Sequence, residues 1–144
     1  MNNSSIFFPL LAQVFLTAMV WAWMYYTRIR EMVAKNIPAQ SLANGPRARE
    51  LLQGVAGPSE NLINLFELPV LFYVAALTAY VSGAVSTMFI FLAWLYVGLR
   101  FVHSVVHITY NNVMHRFAAY FLSTVILWAM WALLAWWLIG MANS

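Results

Sequence analysis

The 144-residue chain is 64% hydrophobic and 17% aromatic, has only 8% charged residues, and carries a formal net charge of +3. An ordinary soluble domain is about a quarter charged. A soluble enzyme and a disordered regulator are therefore poor fits, and seven Lys and Arg are too few and too scattered for nucleic-acid binding. With no cysteine, the chain can form no disulfide, iron–sulfur cluster or cysteine nucleophile.

Uncharged stretches run from Ile6 to Thr27, from Leu68 to Leu99 and from Phe117 to Ser144. Each exceeds the ~20 residues that a helix needs to cross a bilayer, and the middle one holds most of two spans. The first span is expected over about 6–26, with Arg28 and Arg30 ending it at the headgroups. Met-Asn-Asn-Ser-Ser lacks the basic start of a signal peptide, so this helix is expected to be retained. A polar loop over about 28–59 carries five of the seven basic residues and the turn signals Gly45-Pro46 and Gly57-Pro58. Further spans are expected over 62–81, 87–108 and 116–139, with turns at Ser82 to Ser86 and at Asn111-Asn112. The expected fold is all-α, an integral membrane four-helix up-down bundle forming a single domain. The excess of Lys and Arg places the 28–59 loop in the cytoplasm and both termini on the opposite side. Composition does not separate a bacterial inner membrane from an endoplasmic reticulum.

Charges inside spans cost ~2.5–3.5 kcal/mol each near the bilayer centre and need a reason. Glu67 and Arg100 lie at similar depth, ~9–12 Å inside the boundary at 1.5 Å per residue, which permits a salt bridge. Glu60, Asn64 and Glu67, spaced four and three, share one stripe of the second span. Arg100, His103 and His107 share one stripe of the third, and Arg116 and Tyr120 one face of the fourth. Arg28 closes the first span on the same side. One reading makes this cluster interhelical glue that fixes packing register. The other makes it a pocket for a polar, anionic ligand entering from the cytoplasm, with Arg28, Arg100 and Arg116 taking acids and Glu67 an ammonium or amide. His103 and His107 without an acidic cluster are a weak metal signal, so no metal is assigned. Ser104 with His107 lacks an orienting carboxylate for nucleophilic chemistry.

The run Asn64-Leu-Phe-Glu67 before Pro69, then Arg100-Phe-Val-His103, then Arg116 and Tyr120, resembles the MAPEG family, membrane-associated proteins of eicosanoid and glutathione metabolism. The likeness is greatest to the microsomal glutathione transferase and membrane prostaglandin E synthase branch. The resemblance implies a homotrimer that binds glutathione between subunits and transfers it to, or reduces with it, a lipophilic acceptor from the membrane. It gives Arg116 the role of stabilising the glutathione thiolate, and it makes Arg28, Asn64, Glu67, Arg100, His103 and Tyr120 glutathione-site residues. Familiar members carry an Arg-Ala-His type segment where this chain has Glu60-Asn-Leu-Ile63, and a tyrosine where His107 stands. A non-catalytic lipid- or partner-binding protein of the same fold is the alternative.

Overall fold

The computed structural model describes residues 3–143. A 3-10 turn over Asn3–Ile6 leads into α1, Phe7–Ala34. This helix runs past Arg28 and Arg30, because no proline or glycine follows Pro9 of its first turn until Pro38 and long basic side chains can reach polar surroundings from a helix end. It stops at Asn36, whose φ of 51° is left-handed. The amides of Asn36 and Ile37 there return to the carbonyls of Val33 and Met32, satisfying two of the helix's last acceptors.

The expected polar loop is partly ordered into helix. A 3-10 segment over Ala39–Ala43 precedes α2, Gly45–Leu51, which Asn44 caps by accepting from the Arg47 amide at 3.3 Å. After a further 3-10 turn at Gln53–Val55, the second span begins earlier than expected and comes in two pieces, α3 (Ala56–Leu65) and α4 (Leu68–Ser82). Pro69 is the cause. It has no N–H to offer the Leu65 carbonyl and its ring would collide with that group, so the helix ends and a new one starts with the proline in its first turn. Phe66 and Glu67 leave the helical path, and Glu67 has φ −94° and ψ −102°.

Gly83, at φ 74°, ends α4. The left-handed conformation is one that glycine adopts without a Cβ penalty. Ser86 then caps α5, Thr87–Ile108, through its hydroxyl at 3.1 Å from the Phe89 amide. Asn112 caps α6, Val113–Ala142, by accepting from the amides of Met114 and His115.

Four helical stretches, Asn3–Ala34, Gln53–Ser82, Thr87–Ile108 and Val113–Ala142, are long and apolar enough to cross a membrane. The main core lies between α4, α5 and α6, around Phe72, Phe89, Tyr96, Leu127 and Met130. Ala75, Ala76, Ala79 and Ala93, all fully buried, let these helices approach closely. Phe72 stacks on Tyr96 with ring centroids 4.7 Å apart. A smaller cluster of Leu16, Val20 and Leu65 fastens α1 to α3. The buried share of the four apolar segments runs only from 17% in α6 to 44% in α5, so most of their surface faces outward. Between α1 and α4 an apolar groove of about 610 Å³ remains open, walled by Phe7, Leu10, Trp21, Tyr73 and Leu77.

Candidate functional site

At the end of the bundle where α5 finishes and α6 begins, α3 lies against both. Gly57 makes this possible, since a Cβ there would come within 3.1 Å of the His107 carbonyl oxygen. One turn further along α3, the Asn61 Oδ1 accepts from the buried Ser104 hydroxyl at 3.2 Å. Another turn on, the Asn64 carbonyl accepts from Arg100 Nη2 at 2.5 Å. That carbonyl lies in the last turn of α3, where the helix break removes its ordinary partner, so Arg100 acts as a cationic C-cap.

Arg100 is fully buried. Its guanidinium carbon sits 5.1 Å from the centroid of the Tyr120 ring, a cation–π contact. Its Nε and Nη1 have no hydrogen-bond partner in the chain. The expected salt bridge to Glu67 does not form: no Glu67–Arg100 approach within 4 Å exists among the described residues, and Glu67 is exposed at the helix break. The expected stripe of Glu60, Asn64 and Glu67 is likewise broken, because Pro69 ends α3 before Glu67 can take its place on it.

Arg116 sits in the first turns of α6 and is held from two directions by histidines of α5. His103 Nδ1 donates to the Arg116 carbonyl at 2.9 Å. Arg116 Nη1 lies 3.2 Å from His107 Nε2 and 2.9 Å from Asn111 Oδ1. A guanidinium has no lone pair, so His107 Nε2 must be the acceptor, and that ring is neutral with its proton on Nδ1. The Glu60 carboxylate lies 3.9 Å from Arg116 Nη1 and is more than half exposed, which makes it a weak, water-screened partner. Arg116 is thus oriented mainly by neutral acceptors, and its charge is left largely uncancelled.

These groups wall a cavity of about 410 Å³ that includes Asn64, His103, His107, Arg116 and Tyr120, with Glu60 at its edge. The structure therefore gathers four of the sequence-derived site residues on one wall, with Arg100 directly behind them. Arg28 is not among them; it lines a neighbouring cavity of about 840 Å³ with α2 and the start of α3. Ser104, considered as a nucleophile, spends its hydroxyl on Asn61, and His107 faces Arg116 instead. Residues that sequence reasoning did not assign are Asn61 and Asn111, whose roles depend on which helices meet. It also passed over Gln13, fully buried in α1 with neither amide atom partnered in the chain. A lone Gln in the long uncharged stretch of the first span was a visible signal for it.

A bundle of four segments long and apolar enough to span a membrane, with a polar cavity at one end, defines a multi-pass integral membrane protein. The model of the MAPEG family matches residues 6–136, and the chain belongs to that family. The family is one of membrane proteins associated with glutathione use and eicosanoid metabolism. No curated protein and no solved structure matches the chain.

Proposed function

We propose that this protein is a glutathione-dependent transferase or peroxidase of lipophilic electrophiles, of the microsomal glutathione transferase type. The observation that carries the reading is the Arg116 guanidinium on the cavity wall, fixed by His107 and Asn111 and only loosely offset by Glu60. A cation held beside a thiol favours the thiolate, which is the nucleophile. Orienting that thiolate where a membrane-dissolved acceptor arrives supplies much of the rate. Asn64, His103 and Tyr120 shape the glutathione cavity, and Arg100 stiffens it from behind. Arg28 and Glu67 stand outside this cavity in one subunit; a homotrimer, consistent with the large outward apolar surface, is the setting in which they would meet it. The basic 28–59 segment is assigned to the cytoplasm, with both termini opposite.

Arg116→Ala should lower turnover with a lipophilic electrophile far more than it weakens glutathione binding. Equal loss of both would contradict the thiolate role.

One observation favours a second reading, a non-catalytic lipid binder. The apolar groove between α1 and α4 shares no wall residue with the polar cavity, so a lipid held there lies apart from Arg116 within the subunit. A protein that binds fatty acids or lipid mediators with the same affinity in the Arg116→Ala variant, and turns over no electrophile, fits that reading instead.

A further inference from the structure

From residue 30 to residue 50 the chain carries Arg30, Lys35, Arg47 and Arg49 against Glu31 and Glu50. Lys35 spends its charge on Glu31, at 2.6 Å across one helical turn. Arg30, Arg47 and Arg49 are exposed, and among the described residues no carboxylate comes within 4 Å of any of them.

The fold brings these arginines to the edge of the apolar zone. Arg28 and Arg30 follow directly on the uncharged stretch that ends at Thr27, and α2 turns back so that Gly45, Ala48 and Arg49 share a cavity wall with Arg28. Just past α2, a Cβ on Gly54 would stand 3.4 Å from the Glu31 carboxylate, so the strap is held close to α1 on its return. The outer face of α1 changes character at the same level. Trp23, Tyr26 and Arg30 are spaced three and four on one exposed stripe, and the Trp23 and Tyr26 rings lie 5.4 Å apart. Aromatic rings followed one turn later by a cation match the passage from acyl chains through the interface to phosphates.

The helix α2 has two sides. Leu52 at its end is buried and Ala48 and Leu51 are half-buried, whereas Arg47, Arg49 and Glu50 are exposed. Its seven residues fall short of the ~12–15 that an isolated helix needs to hold in water. Leu52 and the Asn44 cap support it from within, and its outer side presents charge.

We infer that Arg30, Arg47 and Arg49 form a docking surface for the phosphodiester headgroups of an anionic lipid leaflet, which hold α2 down on the membrane surface. Charge complementarity selects this occupant. Three guanidiniums face one unpaired carboxylate, that of Glu50, and anionic headgroups are the counter-charge that a bilayer supplies at that depth. The planar guanidinium fork pairs bidentately with phosphate. None of the three arginines walls the Arg116 cavity, so the surface stands apart from any thiol chemistry.

The test follows hydrogen exchange of the α2 amides in the full-length protein, in nanodiscs of phosphatidylcholine alone or mixed equally with phosphatidylglycerol. Lifting α2 off the leaflet removes Arg47, Arg49 and Glu50 together, a net single positive charge, so the anionic lipid should slow exchange there about three- to tenfold. High salt should erase the slowing. The double variant Arg47→Gln, Arg49→Gln changes only exposed side chains and should lose the slowing, whereas Arg47→Lys with Arg49→Lys should keep it. The turn at Asn111-Asn112 should exchange alike in both lipids. Equal α2 exchange in the two lipids for wild type, slowing that survives in the Gln variant or disappears in the Lys variant, or equal slowing of the Asn111 turn overturns the inference. So does the same protection produced by inorganic phosphate in phosphatidylcholine nanodiscs, which would mark a free-anion site instead of a lipid surface.

Discussion

Replacing Arg100 by methionine separates two accounts of a buried charge. The structure gives its guanidinium one hydrogen bond, to the Asn64 carbonyl, and one cation–π contact, with Tyr120. Their loss costs ~1.5–3 kcal/mol for a bond to a charged group and ~0.5–2 kcal/mol for the ring contact. The same substitution removes a buried charge and two donors, Nε and Nη1, that have no partner in the chain. Each unmade donor costs ~1–3 kcal/mol, and methionine's unbranched, polarizable chain fills the vacated space. The two sides nearly cancel, so Arg100→Met should fall within ~2 kcal/mol of wild type, a melting shift under about 6 °C at roughly 3 °C per kcal/mol. Were Arg100 instead bonded to a buried Glu67 carboxylate, removing it would strand that charge at a cost of ~3–5 kcal/mol, or about 9–15 °C. Tryptophan fluorescence of the detergent-solubilised protein on heating reads the difference. A drop of 9 °C or more would refute the arrangement described here. Glutathione should raise the melting temperature of wild type, and should raise it less in the variant, whose cavity wall loses the side chain that stiffens it from behind.

Gly57→Val places a branched side chain against the His107 carbonyl, where even a Cβ would lie at 3.1 Å. Pushing α3 off α5 should cost ~1–3 kcal/mol of stability and weaken glutathione binding, read from melting temperature and calorimetry. Asn112→Ala removes the cap that accepts from Met114 and His115. It should destabilise by ~1 kcal/mol while moving Arg116 little, so reduced melting with retained thiol affinity is expected. Ser104→Ala leaves Asn61 Oδ1 without its donor inside the helix interface, and a loss of ~1–3 kcal/mol with no loss of electrophile turnover would show that Ser104 is no nucleophile.

The spans were legible because hydropathy and turn residues agree. Ser82 to Ser86 and Asn111-Asn112 mark turns by their chemistry, and the structure uses Gly83, Ser86 and Asn112 as caps. The stripe of Arg100, His103 and His107 holds because α5 is an uninterrupted helix. The stripe of Glu60, Asn64 and Glu67 fails for the opposite reason. Pro69 ends the helix upstream of itself, at Leu65, so Phe66 and Glu67 fall in the break and spacing alone misplaces Glu67. The helix α1 continues past the expected end of the first span, because Arg28 and Arg30 mark where the surroundings turn polar, which is not where a helix must stop. Which residues hold Arg116 could not be read from spacing: Asn111 lies in the turn before its helix and His107 on another helix, and only the folding back of α6 on α5 joins them.

The central claim is that Arg116 stabilises a thiolate. A difference ultraviolet spectrum of the purified protein with and without glutathione, repeated with Arg116→Ala, tests it directly. The account predicts a thiolate absorption band on adding glutathione to wild type and its loss in the variant, with glutathione still bound. A band of equal strength in both proteins, or none in wild type at saturating glutathione, would contradict it.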